Sequence, residues 1–106
     1  MTGVVAELFA VIQDRKADPR ADSYTSRLLA GGEDEIIKKV GEECVEVVLA
    51  AKGQGNKRLL SELADLTYHC LVLLAQRGLS PGDVERELLL RREPIAPGAS
   101  SAAHLG

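Results

Sequence analysis

The sequence contains no tryptophan, one phenylalanine, two tyrosines, two cysteines and four prolines in 106 residues. Aromatics at 3% are too few for the stacking platforms that hold single-stranded nucleic acids. Thirteen Lys and Arg face sixteen Asp and Glu, a net charge of −3, so the cationic surplus that drives binding to a phosphate backbone is absent as well. No apolar run reaches the roughly 18 residues of a membrane-spanning helix. The N-terminal stretch MTGVVAELFAVIQDRK lacks the basic start and small-residue cleavage site of a signal peptide. Cys44 and Cys70 form no CxxC pair, and His69 and His104 do not complete a zinc set with them. Both cysteines fall inside apolar patterns and are expected to be buried free thiols in a reducing, cytoplasmic setting.

What is present is ordinary for a globular domain: 45% hydrophobic and 27% charged residues. A chain of this length makes one domain with a modest core, and a dimer that buries more surface is an expected remedy. No segment alternates with period two, while apolar residues recur at helical spacing in four segments, so the predicted fold is an all-α helical bundle. The first helix is predicted over about Val4 to Lys16, followed by a polar loop from Ala17 to Thr25. Leu28 and Leu29 then lead into Gly31-Gly32. The second helix is predicted from Glu33 to Gly53, with Glu33, Asp34 and Glu35 in the first turn, where the helix dipole favours them. The third runs from about Lys57 to Arg77 and stops at Gly78. The fourth opens with Ser80 as N-cap and Pro81 in its first turn, and runs to about Arg92. Residues 1–93 are read as the domain and residues 94–106 as a disordered tail.

Ile36, Ile37, Val40, Cys44, Val47, Val48 and Ala51 form a wide apolar face on the second helix. Glu43 and Glu46, three apart, lie along one edge with Lys39, and Val45 with Leu49 makes a further apolar strip suited to a partner subunit. The third helix is apolar nearly all round and is expected to be central and buried. Its one polar stripe holds Arg58, Glu62, Asp65, His69 and Gln76. Burying carboxylates without partners is costly. Two carboxylate pairs beside a core therefore need cations, which Arg58, Lys39, His69 or a divalent metal can supply. Oxygen ligands suit Mg²⁺ or Mn²⁺. Spacing alone leaves a metal site and solvated salt bridges equally open.

Glu42-Glu43-x-x-Glu46, fifteen residues, then Glu62-x-x-Asp65 resembles the EExxE…ExxD signature of the all-α NTP pyrophosphohydrolases, which include MazG-like proteins and dimeric dUTPases. Ser23-Tyr24-Thr25, Lys38-Lys39-Val40-Gly41-Glu42-Glu43 and Ala64-Asp65-Leu66-Thr67-Tyr68-His69 resemble, more narrowly, the phosphoribosyl-ATP pyrophosphohydrolase family, over roughly residues 4–92. The resemblance implies hydrolysis of phosphoribosyl-ATP between its α- and β-phosphates, giving phosphoribosyl-AMP and pyrophosphate, the second step of histidine biosynthesis. It implies a stand-alone form, without the cyclohydrolase domain fused to some relatives, and a homodimer with intertwined helices.

By motif position, Glu43, Glu46, Glu62 and Asp65 correspond to Mg²⁺ ligands, with Mn²⁺ as a substitute. A metal there would neutralise charge gathering on the leaving pyrophosphate. Glu42, Glu43 and His69 are the candidate catalytic groups, Glu42 as a water-activating base, a support to the metal ligands or a surface acid. His69 stands one turn past Asp65, placed to bond that carboxylate, to touch substrate or to make a plain structural hydrogen bond. Arg15, Lys16, Ser23, Tyr24, Lys38 and Lys39 are candidate substrate-binding residues, the first four in a loop able to close over the substrate. Two rivals share this sequence: a MazG-like house-cleaning enzyme acting on aberrant nucleoside triphosphates, and a non-catalytic helical dimerisation module in which the acids are idle.

Overall fold

A computed structural model describes residues 3–92, and the tail expected to be disordered lies outside the described residues. Five helices follow one another with no strand among the described residues: α1 (Val4–Ala17), α2 (Tyr24–Ala30), α3 (Glu33–Gly53), α4 (Gly55–Gln76) and α5 (Pro81–Arg91). The four predicted helices are all present within two residues of their expected ends. The fifth, α2, takes the last two residues of the expected loop, Tyr24 and Thr25, and continues through Leu28 and Leu29 to Ala30. Ser23 caps it, its Oγ accepting the Ser26 backbone N–H at 3.2 Å.

Helices α3 and α4 are joined by Gln54 alone, and Gly55 takes φ +85°, a left-handed conformation that glycine adopts without a Cβ clash. The result is a long antiparallel hairpin, closed at its far end by a two-contact ion pair between Glu33 and Arg77. At the end of α4, Gly78 (φ +71°) sends its N–H to Ala75 O at 3.1 Å, and Leu79 sends its N–H to Leu74 O at 2.8 Å. That pair of bonds is the Schellman ending expected of a glycine after the last turn. Ser80 and Asp83 then form a reciprocal capping box that starts α5.

The core is small and lies at one end of the hairpin. Phe9 and Ile12 of α1, Leu28 of α2, Ile36 of α3 and Leu71, Val72 and Ala75 of α4 are buried together. The hairpin then runs on past α1 and α2. A radius of gyration of 16.2 Å and a longest extent of 54 Å record this overhang, since a compact chain of this size has a radius near 13 Å. Three expectations of burial change. Helix α4 is central only in its C-terminal half, because Leu60 and Leu63 near its start are exposed. On α3, Ile37 and Val48 of the expected core face are exposed. Cys44 is exposed and Cys70 half-buried, so the pair are free thiols but not buried ones. Among the described residues, α4 alone covers the overhanging stretch of α3, and one helix shields one side.

Candidate active site

The acids of α3 and α4 meet where the covered part of the hairpin gives way to the overhang. Glu43 comes from α3, Glu62 and Asp65 from α4, and one carboxylate oxygen of each lies within 4.8 Å of the others. On the chain, Glu62 and Asp65 are one turn apart, which puts them on the same side of α4. The antiparallel hairpin brings Glu43 opposite them. Oxygens bound to one Mg²⁺ are about 3 to 4 Å apart, so small side-chain rotations would bring these three into register.

The cluster is short of positive charge. Glu62 is only 4% exposed and is paired with Arg58 at 2.9 Å. Glu43 is half-buried and its carboxyl is held above the usual carboxylate range. Loss of solvent is the first cause, the charge of Asp65 the next, and a hydrogen bond and charge from Glu62 add to it, while His69 opposes them. Three carboxylates against one guanidinium form the kind of oxygen-lined, under-compensated group that a hard divalent cation suits.

The other sequence candidates fall into distinct places. Glu46 is half-buried one turn further along α3, outside the three-acid cluster. Glu42 is exposed and faces Lys39 at 3.8 Å, so the expected alignment of Lys39 with Glu43 is replaced by a surface pair. Lys38 is exposed. Arg15 and Lys16 belong to the last turn of α1, not to a loop. Lys16 donates from Nζ to Ala75 O at 2.7 Å, at the C-terminal end of α4, where the free carbonyls attract cations. Ten residues separate Ala75 from Asp65, about 15 Å along the helix.

His69 is 7% exposed and both its nitrogens are occupied. Nδ1 lies 2.8 Å from the main-chain carbonyl of Asp65, which can only accept, so Nδ1 carries the proton. In the neutral ring Nε2 then accepts from the Tyr24 hydroxyl at 3.2 Å. His69 thus bonds the Tyr24 hydroxyl and the Asp65 main chain, not the Asp65 carboxylate. Beside it, Thr25 Oγ1 and Tyr68 OH share a short hydrogen bond. The rings of Tyr24, Tyr68 and His69 pack edge-on or tilted with centroids 5.0 to 6.2 Å apart. Two of the three aromatic residues therefore sit here, tying the start of α2 to the turn after Asp65. Thr25 and Tyr68 are the site neighbours that the sequence reading gave no site role, while Arg58 pairs with Glu62 as one of the compensating cations it named. The signal available for the first two was the shared spacing of Tyr24-Thr25 with Tyr68-His69, two adjacent polar-aromatic pairs.

The described residues are all helical or loop, with acids facing each other across a long hairpin, consistent with the all-α, MazG-like NTP pyrophosphohydrolase fold. The model of the phosphoribosyl-ATP pyrophosphohydrolase family matches residues 5–92. A phosphoribosyl-ATP pyrophosphatase of Pelotomaculum thermopropionicum is 50% identical over 90 residues, covering 85% of this chain and 92% of that protein. Those of Clostridium botulinum (strain Hall) and Bacillus cereus (strain AH187) are 47% and 46% identical, covering 87% and 84% of this chain and 84% and 83% of their own lengths. The chain belongs to the phosphoribosyl-ATP pyrophosphohydrolase family, a family of hydrolases.

Proposed function

We propose that this protein hydrolyses phosphoribosyl-ATP to phosphoribosyl-AMP and pyrophosphate, the second step of histidine biosynthesis, with Mg²⁺ as cofactor and Mn²⁺ as its substitute. The observation that carries the reading is the meeting of Glu43, Glu62 and Asp65 within 4.8 Å across the hairpin, in a chain of this family. These three, with Glu46 as the fourth acid of the motif, would hold the metal. Bound there, Mg²⁺ supplies charge neutralisation for the triphosphate and for the leaving pyrophosphate. The protein's own part is positional. Two rigid helices fix the acids, Arg58 steadies Glu62, and the Tyr24–His69 and Thr25–Tyr68 bonds hold α2 beside them. Glu42, the chain neighbour of Glu43, would accept a proton from the attacking water, its surface pairing with Lys39 opening first. Lys38, Lys39, Arg15, Ser23 and Tyr24 are the groups assigned to the substrate.

The same reading includes a homodimer. Val45, Val48 and Leu49 of α3 and Leu60 and Leu63 of α4 are all exposed on the overhang, a contiguous apolar need that a second copy would meet. The expected setting is a reducing cytoplasm, and no helix among the described residues is long and apolar enough to cross a membrane.

The test is pyrophosphate release from phosphoribosyl-ATP, with and without Mg²⁺, beside dUTP, dCTP and ATP. Metal-dependent release from phosphoribosyl-ATP alone is the expected result. Release from the deoxynucleotides instead would move the protein to the house-cleaning branch. No release from any of them would favour a non-catalytic dimerisation module.

A further inference from the structure

A second polar site lies on the other side of the Tyr24-Thr25 turn. Between α1 and the connection to α2 is a cavity of about 320 Å³ lined by Val11, Arg15, Arg20, Asp22, Ser23 and Thr25. Its volume is at the lower end of ligand pockets, suited to a sugar phosphate more than to a whole nucleotide. The guanidinium of Arg20 makes no ion pair with any described residue, and only its backbone N–H is engaged, with Ser26 Oγ at 3.0 Å. Arg15 pairs only with its chain neighbour Asp14, at 2.6 Å. An exposed pair of this kind holds little energy, and the fork has further donors to offer.

The cavity is joined to the acid cluster by one short relay. Thr25 lines the cavity and bonds Tyr68, while the adjacent Tyr24 bonds His69, which bonds the Asp65 carbonyl. Resting on the function proposed above, the substrate has two anionic ends: the triphosphate that is cut and a phosphomonoester on the second ribose. The acid cluster attracts the first only through a cation. The second needs a site of its own, cationic and metal-free. We propose that this cavity binds the phosphoribosyl end of the substrate, with Arg15 and Arg20 on the phosphomonoester, the Ser23 hydroxyl beside them and Asp22 accepting from the ribose hydroxyls. Guanidinium forks match phosphate oxygens in geometry and charge. Asp22, out of place in a pure phosphate site, fits one that must also hold a diol. The cavity thereby separates phosphoribosyl-ATP from ATP, which would bring no phosphomonoester to either arginine.

The experiment compares phosphoribosyl-ATP with the analogue lacking only that phosphomonoester, ribosyl-ATP. For the unaltered protein, kcat/KM should favour the phosphorylated substrate by about 10- to 100-fold, the worth of hydrogen bonds to a charged group. Arg20→Gln should collapse that ratio towards one, and Arg15→Gln should lower it. A ratio that survives in both variants overturns the proposal. Ribose 5-phosphate, titrated in heteronuclear NMR, is the second arm. It should shift the amides of Ser23 and Thr25 in the unaltered protein and require at least about 10-fold higher concentration in Arg20→Gln. No shift at those amides overturns the site independently of turnover. Shifts without any turnover of phosphoribosyl-ATP would leave the sugar-phosphate site standing and remove the reaction.

Discussion

The two ends of the α3–α4 hairpin carry the same kind of apolar pattern and meet different fates. At one end Ile36, Leu71, Val72 and Ala75 are sealed by Phe9, Ile12 and Leu28. At the other, Val48 is 60% and Leu60 68% exposed, as open as surface residues. Hydrophobic periodicity states that a face requires cover and does not state what covers it. At the first end α1 and α2 supply the cover. At the second, no described residue supplies it. Glu43, Glu62 and Asp65 lie on the seam between these regions. One side of the seam gives them rigidity and the other leaves them accessible, a combination that a fully enclosed bundle of this size would not provide.

Four alterations would break or sharpen this contrast. The largest effect belongs to the seam. Asp65→Asn should reduce pyrophosphate release on the order of 10³-fold, because it removes several kcal/mol of metal-mediated charge stabilisation without changing shape. Circular dichroism should be unchanged, and a variant that keeps its activity would show that Asp65 holds no metal. Next comes the bare end. The unaltered protein should sediment as a dimer at micromolar concentration and a Val48→Glu, Leu60→Glu double variant as a monomer, since paired carboxylates cannot be buried there cheaply. A monomeric unaltered protein would make the overhang a feature of the free chain.

The third concerns the metal and pH. A hundredfold excess of Mg²⁺ over its Kd should raise stability by about 2.7 kcal/mol, read as a shift in Tm. Glu43 has its carboxyl raised by desolvation and then by Asp65, so the folded chain holds this proton to a higher pH than the unfolded chain does. The metal-free protein is therefore destabilised by Glu43 above that raised value and relieved as pH falls through it. The Mg²⁺ increment should follow the opposite course, full above the raised value and fading below it, where protons compete for the same oxygens. An increment independent of pH would remove Glu43 from the metal set. The smallest effect tests the sealed end. Tyr68→Phe deletes the bond to Thr25 and should cost about 1 kcal/mol in chemical denaturation, with the dimer mass intact. A loss of dimer in this variant would show that the two regions are not independent.

Much of the fold was legible because it is local. Ser80-Pro81 announced α5, Gly78 closed α4, and the acids after Gly32 opened α3, each through groups within a few residues of one another. Helix α2 was not legible. It has only seven residues, too few for a periodic signal, and its place is decided by burying Ser26 and Leu28 against other elements. Of the site, the spacing of Glu62 and Asp65 put them on one side of a helix, but the spacing of Glu43 and Glu46 suggested a pair where the structure brings only Glu43 to the cluster. Lys39 was aligned with Glu43 by its helical position and turns instead to Glu42. Lys16 bonds a carbonyl 59 positions away, and His69 takes a hydroxyl from 45 positions away, neither of which a periodicity contains.

The sequence by itself determined where four of the helices start and stop, which residues carry charge, and that acids stand three apart on each of two helices. Those properties depend on backbone bonds and side chains within one or two turns. Tertiary structure decided the rest. It selected three acids for one cluster, tied His69 to the Tyr24 hydroxyl, and set Arg15 and Arg20 around a cavity on the far side of that tie. It also left the Val48–Leu60 end of the hairpin uncovered. Each of these outcomes requires groups distant in the chain to compete for the same partners, and only the packed chain resolves that competition.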